Sequence, residues 1–165
     1  MPRLSLAIIA KDESKVLGRC LESAKDVVDE IVVVDTGSTD NTIDIAKQYT
    51  GKVYHFDWID DFSAARNYSF EQCTGDFILW LDADDILKPE DAQKIKELDL
   101  SDKEIVICPY VYFHDEFDNP VLTVPRERII RRSLGLRWVD PIHEYIPLRG
   151  KQYLSDIDIH HYRQG

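Results

Sequence analysis

Apolar positions in this chain switch between two periods. Residues 5–10, "SLAIIA", form a short, almost wholly apolar run, and Val16, Leu17, Cys20, Leu21, Ala24, Val27 and Val28 then recur at helical spacing. That pattern predicts a strand followed by an amphipathic helix. "EIVVVD" (30–35) repeats the strand signal, and "TGSTDNT" supplies a Gly turn and several N-cap residues before Ile43, Ala46 and Tyr49 mark a second helix. "KVYHF" (52–56) is a weaker third strand. "DFSAARNYSFEQC" (61–73) predicts a helix with Phe62, Ala65, Phe70 and Cys73 facing inward, ended by Thr74 and Gly75 before a fourth strand, "DFILWL" (76–81). Pro89 fits the first position of a further helix, with Glu90 and Asp91 in its first turn and Ala92, Ile95 and Leu98 inward. "EIVICPYVYF" (104–113) predicts a fifth strand.

Strands buried on both faces and separated by helices imply the α/β class, with a mostly parallel sheet and right-handed crossovers. Such sheets bind ligands beyond the carboxyl ends of their strands. Three strands end there in polar residues: Lys11, Asp12 and Glu13 after the first, Asp35 to Asn41 after the second, and Asp82 to Asp85 after the fourth. All three are expected to line one crevice. From residue 114 the pattern changes to a turn, "DEFDNP", a basic stretch, "RERIIRR", and a segment rich in Trp, Pro and His, "RWVDPIHEYIP". With no repeat, low-complexity tract or linker, 1–113 and 114–165 read as two halves of a single domain.

Length and charge narrow the partners. A chain of 165 residues is long enough to bury a core, and 44% hydrophobic with 31% charged residues is ordinary for a soluble globular protein. The formal charge of -11 repels a phosphate backbone, so no nucleic-acid partner is expected. Cys20, Cys73 and Cys108 are odd in number and form no CxxC pair, which suits reduced thiols in a cytoplasmic protein. No apolar run approaches the roughly 18 residues of a membrane span, and "MPRLSLAIIAKDE" meets charge too early for a signal peptide.

The acidic cluster in "FILWLDADD" (77–85) carries the chemistry. Two carboxylates about 4 Å apart repel by roughly 4 kcal/mol at an effective dielectric of 20, so a fold that gathers Asp82, Asp84 and Asp85 expects a cation. A divalent metal is the first reading. The alternative, strongest for Asp85, is capping of the next helix.

Five segments in fixed order, "LAIIAKDES", "EIVVVDTGSTDNT", "DFSAARNYS", "ILWLDADD" and "WVDPIHEYI", resemble the nucleotide-sugar glycosyltransferases of family 2. The likeness is to the branch that includes lipopolysaccharide-core glucosyltransferases and SunS-like enzymes, and it covers essentially the whole chain. It implies the GT-A fold, a Rossmann-like, mostly parallel sheet flanked by helices and carrying a DxD metal motif. It further implies inverting transfer from a nucleotide-diphosphate sugar, a UDP-sugar foremost, to a hydroxyl of a saccharide, lipid-linked or peptide acceptor in glycan, cell-envelope or glycoconjugate synthesis. Residue by residue, Ala10, Glu13, Asp35, Arg66 and Asp82 correspond to donor-binding positions, Asp84 and His161 to ligands of Mn2+ or Mg2+, and Glu144 to the catalytic base. On this reading 1–113 is the nucleotide-sugar-binding half and 114–165 the acceptor and base half. The resemblance leaves open a homodimer and a chain that is a piece of a longer enzyme.

Two positions depart from the family's pattern. Thr36 stands where a second acidic residue usually contacts the uracil ring, and Asp12 stands where Asn is usual. Each residue also has a plainer reading. Arg66 pairs with Glu71 or Asp61 on a helix surface, Ser38, Thr39 and Asp40 cap the second helix, and His143 packs against or positions Glu144. Arg126, Arg128, Arg131 and Arg132 either meet a diphosphate or acidic acceptor or form a solvated strand face. His160 and His161 stand in "HHY", which resembles the family's late histidine that can complete a metal site, with His161 as the ligand, or are exposed residues near the chain end.

Other function classes fit less well. A haloacid-dehalogenase-like phosphatase places its DxD after the first strand, whereas here it follows the fourth. A sugar-nucleotide pyrophosphorylase needs a Gly-rich loop where this chain has "AKDES". A nucleotide-sugar-binding domain without efficient transfer remains as the non-enzymatic alternative.

Overall fold

The computed structural model describes residues 2–163. Its first half alternates as the periodicity predicts: β1 (Leu4–Ala10), α1 (Leu17–Ala24), β2 (Glu30–Asp35), α2 (Thr42–Lys47), β3 (Val53–His55), α3 (Phe62–Glu71) and β4 (Phe77–Trp80). β2 and β4 are buried along their whole length and β1 at all positions but Ile9, so these strands read as unbroken apolar runs. They form a parallel sheet in the order β3-β2-β1-β4. Ala10 pairs with Asp35, so the loops after β1 and β2 leave the sheet at the same level.

The second half is β5 (Asp85–Ile86), α4 (Pro89–Glu97), β6 (Ile105–His114), β7 (Pro120–Arg131), β8 (Gln152–Leu154) and β9 (Ile159–His161). Here the sheet departs from parallel. The turn at 115–119 folds β7 back along β6, and β7 takes the free edge of β4, antiparallel to both. The complete order is β3-β2-β1-β4-β7-β6-β9-β5, with β8 also on β6. Both halves share this one α/β sheet, mixed overall and parallel where the acidic loops emerge.

Several element ends differ from expectation. α1 and α2 stop early, leaving Val27, Val28 and Tyr49 to pack on the core from the turns that follow. Phe62 does not face inward. As the first residue of α3 it is 40% exposed and meets Trp58 edge to face at 4.8 Å, while Ser63, Ala65 and Ser69 form the helix's inner side.

Alternating strand residues feed two apolar layers. Leu6, Ile8, Leu79 and Ile129 pack under α1 and α4, while Ala7, Val32, Ile78 and Trp80 pack with Trp138 and Ile146 on the other face. A polar knot closes the amino end of the sheet. Glu30, only 6% exposed, accepts hydrogen bonds from the Ser5 hydroxyl, the Thr74 amide and hydroxyl and the Lys52 ammonium. Gly75 is required there: a Cβ would stand 2.6 Å from Ser5 Oγ and 3.0 Å from the Arg3 carbonyl. All three cysteines are buried and free. Among the described residues no helix is long and apolar enough to cross a membrane.

Candidate active site

A cleft of about 580 Å3 opens at the carboxyl ends of β1, β2 and β4, where sheets of this class take ligands. Ala10 and Glu13 line it from the first strand, Thr36 from the second, Arg66 from α3, Asp82 and Asp84 from the fourth strand, and Glu144 and His161 from the second half. A wider hollow of about 790 Å3 lies at the amino end, lined by residues such as Arg3, Asp29 and Lys52, and holds none of these groups.

The "LDADD" turn divides its carboxylates between solvent and core. Asp85 is fully buried: Oδ2 accepts from the Asp82 amide at 2.8 Å and from Arg128 Nη1 at 3.0 Å, and Oδ1 accepts from the Tyr110 hydroxyl at 2.7 Å. It is neither a helix cap nor a cleft residue, since α4 begins after Lys88 with no side-chain cap. Arg128, also fully buried, lies 3.9 Å from the Trp80 ring centroid and 4.3 Å from that of Tyr110. The expected basic patch therefore does not exist. Arg131 donates to the Ser101 and Lys103 carbonyls, Arg132 to that of Gly75, and only Arg126 reaches the cleft.

Asp84 faces the cleft, although it is only 6% exposed. Its carboxylate lies 3.4 Å from His161 Nδ1 and accepts from Arg163 Nη1 at 3.0 Å. Burial alone would raise its pKa, but His161 and Arg163 outweigh that and hold it below the usual carboxylate range. The carboxylates of Asp84 and then Asp85, 3.4 and 3.8 Å from Nδ1, push the His161 imidazole up to about 9. Backbone pairing of His161 with Asp85 and a stack on Tyr112 at 4.7 Å fix this histidine, so it is no loose terminal residue. His160 points elsewhere and is 5% exposed.

Arg66 joins the two sides of the cleft. Its Nη2 donates to Asp82 Oδ1 at 2.7 Å and its Nε to Glu144 Oε2 at 2.9 Å. The rings of Trp80 and Trp138 flank the guanidinium at 4.9 and 5.0 Å. The plainer pairing is excluded, since Asp61 caps α3 and Glu71 meets Arg137. Burial raises the Asp82 pKa, but the charges of Arg66 and Arg128 overcome that and hold the carboxyl below its usual range. Glu144 is carried by a loop stapled to the start of α3, where Ser63 Oγ donates to the Asp140 carbonyl and the Phe62 amide to that of Pro141. Asn67 exchanges two hydrogen bonds with the Trp138 backbone. His143 neither packs nor touches Glu144: it is exposed, at a positive φ of 58°.

Residues 5–159 match the family model described as glycosyl transferase family 2. The chain belongs to that family. It is 40% identical over 162 residues to a TPR repeat-containing protein of Synechococcus elongatus, covering 88% of this chain and 36% of that protein. It is 32% identical over 149 residues to the SPbeta prophage-derived glycosyltransferase SunS of Bacillus subtilis, covering 87% and 34%. The chain thus spans about a third of the length of these curated relatives. Its fold is similar to that of S. aureus TarS (TM-score 0.61, 20% identity, 80% of this chain and 48% of that one). It is equally similar to Mycobacterium tuberculosis glucosyl-3-phosphoglycerate synthase in complex with Mn2+ and UDP-glucose (TM-score 0.61, 20% identity, 81% and 57%).

Within this family 2 frame, two positions acquire local explanations. Asp12 has a positive φ of 52°, a conformation that Asn and Asp tolerate best, and its Oδ1 accepts from the Thr39 amide at 2.7 Å. Ser38, Thr39 and Asp40 stitch the β1 loop to the β2 loop, and Asp40 Oδ1 also accepts from the amide of Thr42, the first residue of α2, at 2.9 Å, so of the three Asp40 serves the helix start. Asp35 is turned into its own loop, accepting from the Gly37 and Ser38 amides and the Ser38 hydroxyl, and does not line the cleft. Sequence reasoning missed Tyr110, Tyr112, Trp80 and Trp138, which read only as strand or segment hydrophobics, and Arg163, which carries no motif.

Proposed function

We propose that the cleft binds a nucleotide-diphosphate sugar, a UDP-sugar foremost, and transfers the sugar with inversion to an acceptor hydroxyl. The observation that carries this reading is the shared guanidinium of Arg66, which places the DxD carboxylate Asp82 and the candidate base Glu144 in one charged array. Ala10, Glu13, Thr36 and Asp82 surround the space for the nucleoside and diphosphate, whereas Asp35 supports that wall through its loop.

Glu144 takes the proton of the acceptor hydroxyl as the oxygen attacks the anomeric carbon. The new oxygen–carbon bond forms on the face opposite the diphosphate. The old bond breaks with its electron pair leaving on the diphosphate, through a transition state of oxocarbenium character. An incoming diphosphate competes with Glu144 for the Arg66 fork, which suits bidentate phosphate recognition, and so frees the carboxylate to accept a proton.

The donor set of Asp84 and His161, with Asp82 beside it, fits a hard or borderline divalent ion. The site already matches its carboxylate with positive groups, and the Arg163 guanidinium, 69% exposed, is free to yield its place. Mn2+ or Mg2+ held there would neutralise charge on the leaving diphosphate. Calorimetric titration with UDP, GDP, ADP and CDP, each with and without Mn2+, tests the reading on the parent protein and on Asp84→Ala. One nucleotide is expected to bind only with metal, and that binding is expected to be lost in the variant. Binding of none of them in either condition overturns it.

A further inference from the structure

Behind the cleft, a second group of ligand-bearing side chains is unused by the proposed reaction. Asp91 lies in the first turn of α4, Asp158 precedes β9, and His160 lies within β9, with one potential ligand atom from each within 4.8 Å of the others. The side chains of His160 and Asp91 are 6% and 3% exposed. His160 Nδ1 meets His114 Nε2 at 2.8 Å, which fixes the ring, and the Asp158 amide donates to Asp91 Oδ1 at 2.9 Å, which fixes the carboxylate. The remaining atoms, His160 Nε2 and Asp91 Oδ2, face one another across 3.8 Å. That separation is too long for a hydrogen bond. If His160 donates through Nδ1, a bare nitrogen lone pair is aimed at a buried carboxylate. If it accepts there, an Nε2 proton points at Asp91 without reaching it. Either tautomer leaves the Nε2–Oδ2 contact long, a gap between two ligand atoms that a cation would close.

We propose that Asp91, Asp158 and His160 form a divalent-cation site, for Zn2+ foremost, separate from the DxD cleft. One imidazole nitrogen and two carboxylate oxygens suit a borderline ion with water as a fourth ligand. Tetrahedral ligands about 2.1 Å from zinc stand roughly 3.4 Å apart, so small side-chain rotations close the set. The contact of His160 with His114 is the kind of outer hydrogen bond that orients a metal-binding imidazole. Successive strand residues point to opposite sides, so β9 presents His160 to this site and His161 to the cleft. An ion here would pin α4 to β9 and steady His161 from behind.

The test uses the Asp84→Ala protein, in which the carboxylate proposed to hold the cleft's own metal is gone, titrated with Zn2+ by calorimetry, with Co2+ absorbance as a second readout. The expected result is one equivalent of Zn2+, a tetrahedral Co2+ spectrum, and a rise in Tm with Zn2+. Adding Asp91→Asn or His160→Ala should weaken binding by about tenfold or more and abolish the Tm rise. Asp158→Asn, which keeps its backbone bond to Asp91, covers the case in which a buried variant does not fold. Absence of Zn2+ binding to Asp84→Ala, or unchanged affinity in Asp158→Asn, overturns the site. Neither outcome bears on nucleotide binding in the cleft, so failure here is distinguishable from failure of the transferase reading.

Discussion

Glu144 and Asp84 were legible as residues because each belongs to a short segment, "HEY" or "DAD", whose chemistry is local. Arg66 was legible only by family likeness, and its two partners lie 16 and 78 positions away, a pairing that no helical spacing encodes. Asp35 is turned another way. It ends an apolar strand at the crevice as expected, yet Gly37 and Ser38 capture its oxygens within three residues, as Asp side chains do in turns. At this scale Glu144→Gln is the sharpest test. It keeps the shape and the hydrogen bond from Arg66 but removes the proton acceptor, so transfer is expected to fall by about 10²-fold or more while nucleotide affinity, read by calorimetry, stays nearly unchanged.

The elements of the first half were readable because their strands are buried on both faces and punctuated by Gly, Pro and capping residues. Those of the second half were not, because periodicity marks β6 and the turn after it without saying which edge β7 will occupy. β5 and β9, at two and three residues, are too short to leave any periodic trace. The joint they make is nevertheless the support of the metal-motif turn: Arg128 from β7, Asp85 from β5 and Tyr110 from β6 meet in one buried contact. Arg128→Met leaves Asp85 charged and unpaired in the core and is expected to cost about 3–5 kcal/mol in urea unfolding. The double variant Arg128→Met/Asp85→Asn should recover part of that loss, because the buried charge is gone with its partner.

For the whole molecule, one contribution to the acid limb of stability comes from the amino end of the sheet, far from the cleft. Burial opposes ionisation of Glu30, but hydrogen bonds from Lys52, Ser5 and Thr74 prevail and hold its pKa down at about 2, from 4.5. A depressed carboxylate stabilises the fold fully above its unfolded pKa and loses that contribution as pH falls from about 4.5 toward 2. Allowing for the exposed Lys52, the contribution is on the order of 2 kcal/mol. Urea unfolding should therefore show Glu30→Gln less stable than the parent at pH 7, with the gap narrowing steadily below pH 4.5; a constant gap would contradict the assignment. His161 acts in the reverse sense. With its pKa raised to about 9, the pairing with Asp84 is complete below about 6.5 and is lost as pH climbs to 9. Affinity for Mn2+ is accordingly expected to increase across that interval, as the proton leaves the ring nitrogen that the ion needs.

The guanidinium shared by Asp82 and Glu144 has a kinetic consequence. In the proposed reaction, while Arg66 grips both carboxylates, an acceptor arriving first would find Glu144 engaged, whereas a donor arriving first would release it. Turnover through such a gate would be sequential and ordered, donor leading. The released nucleoside diphosphate would then compete with donor in initial-rate measurements and give noncompetitive inhibition against acceptor, and Arg66→Ala would erase the order along with most of the rate.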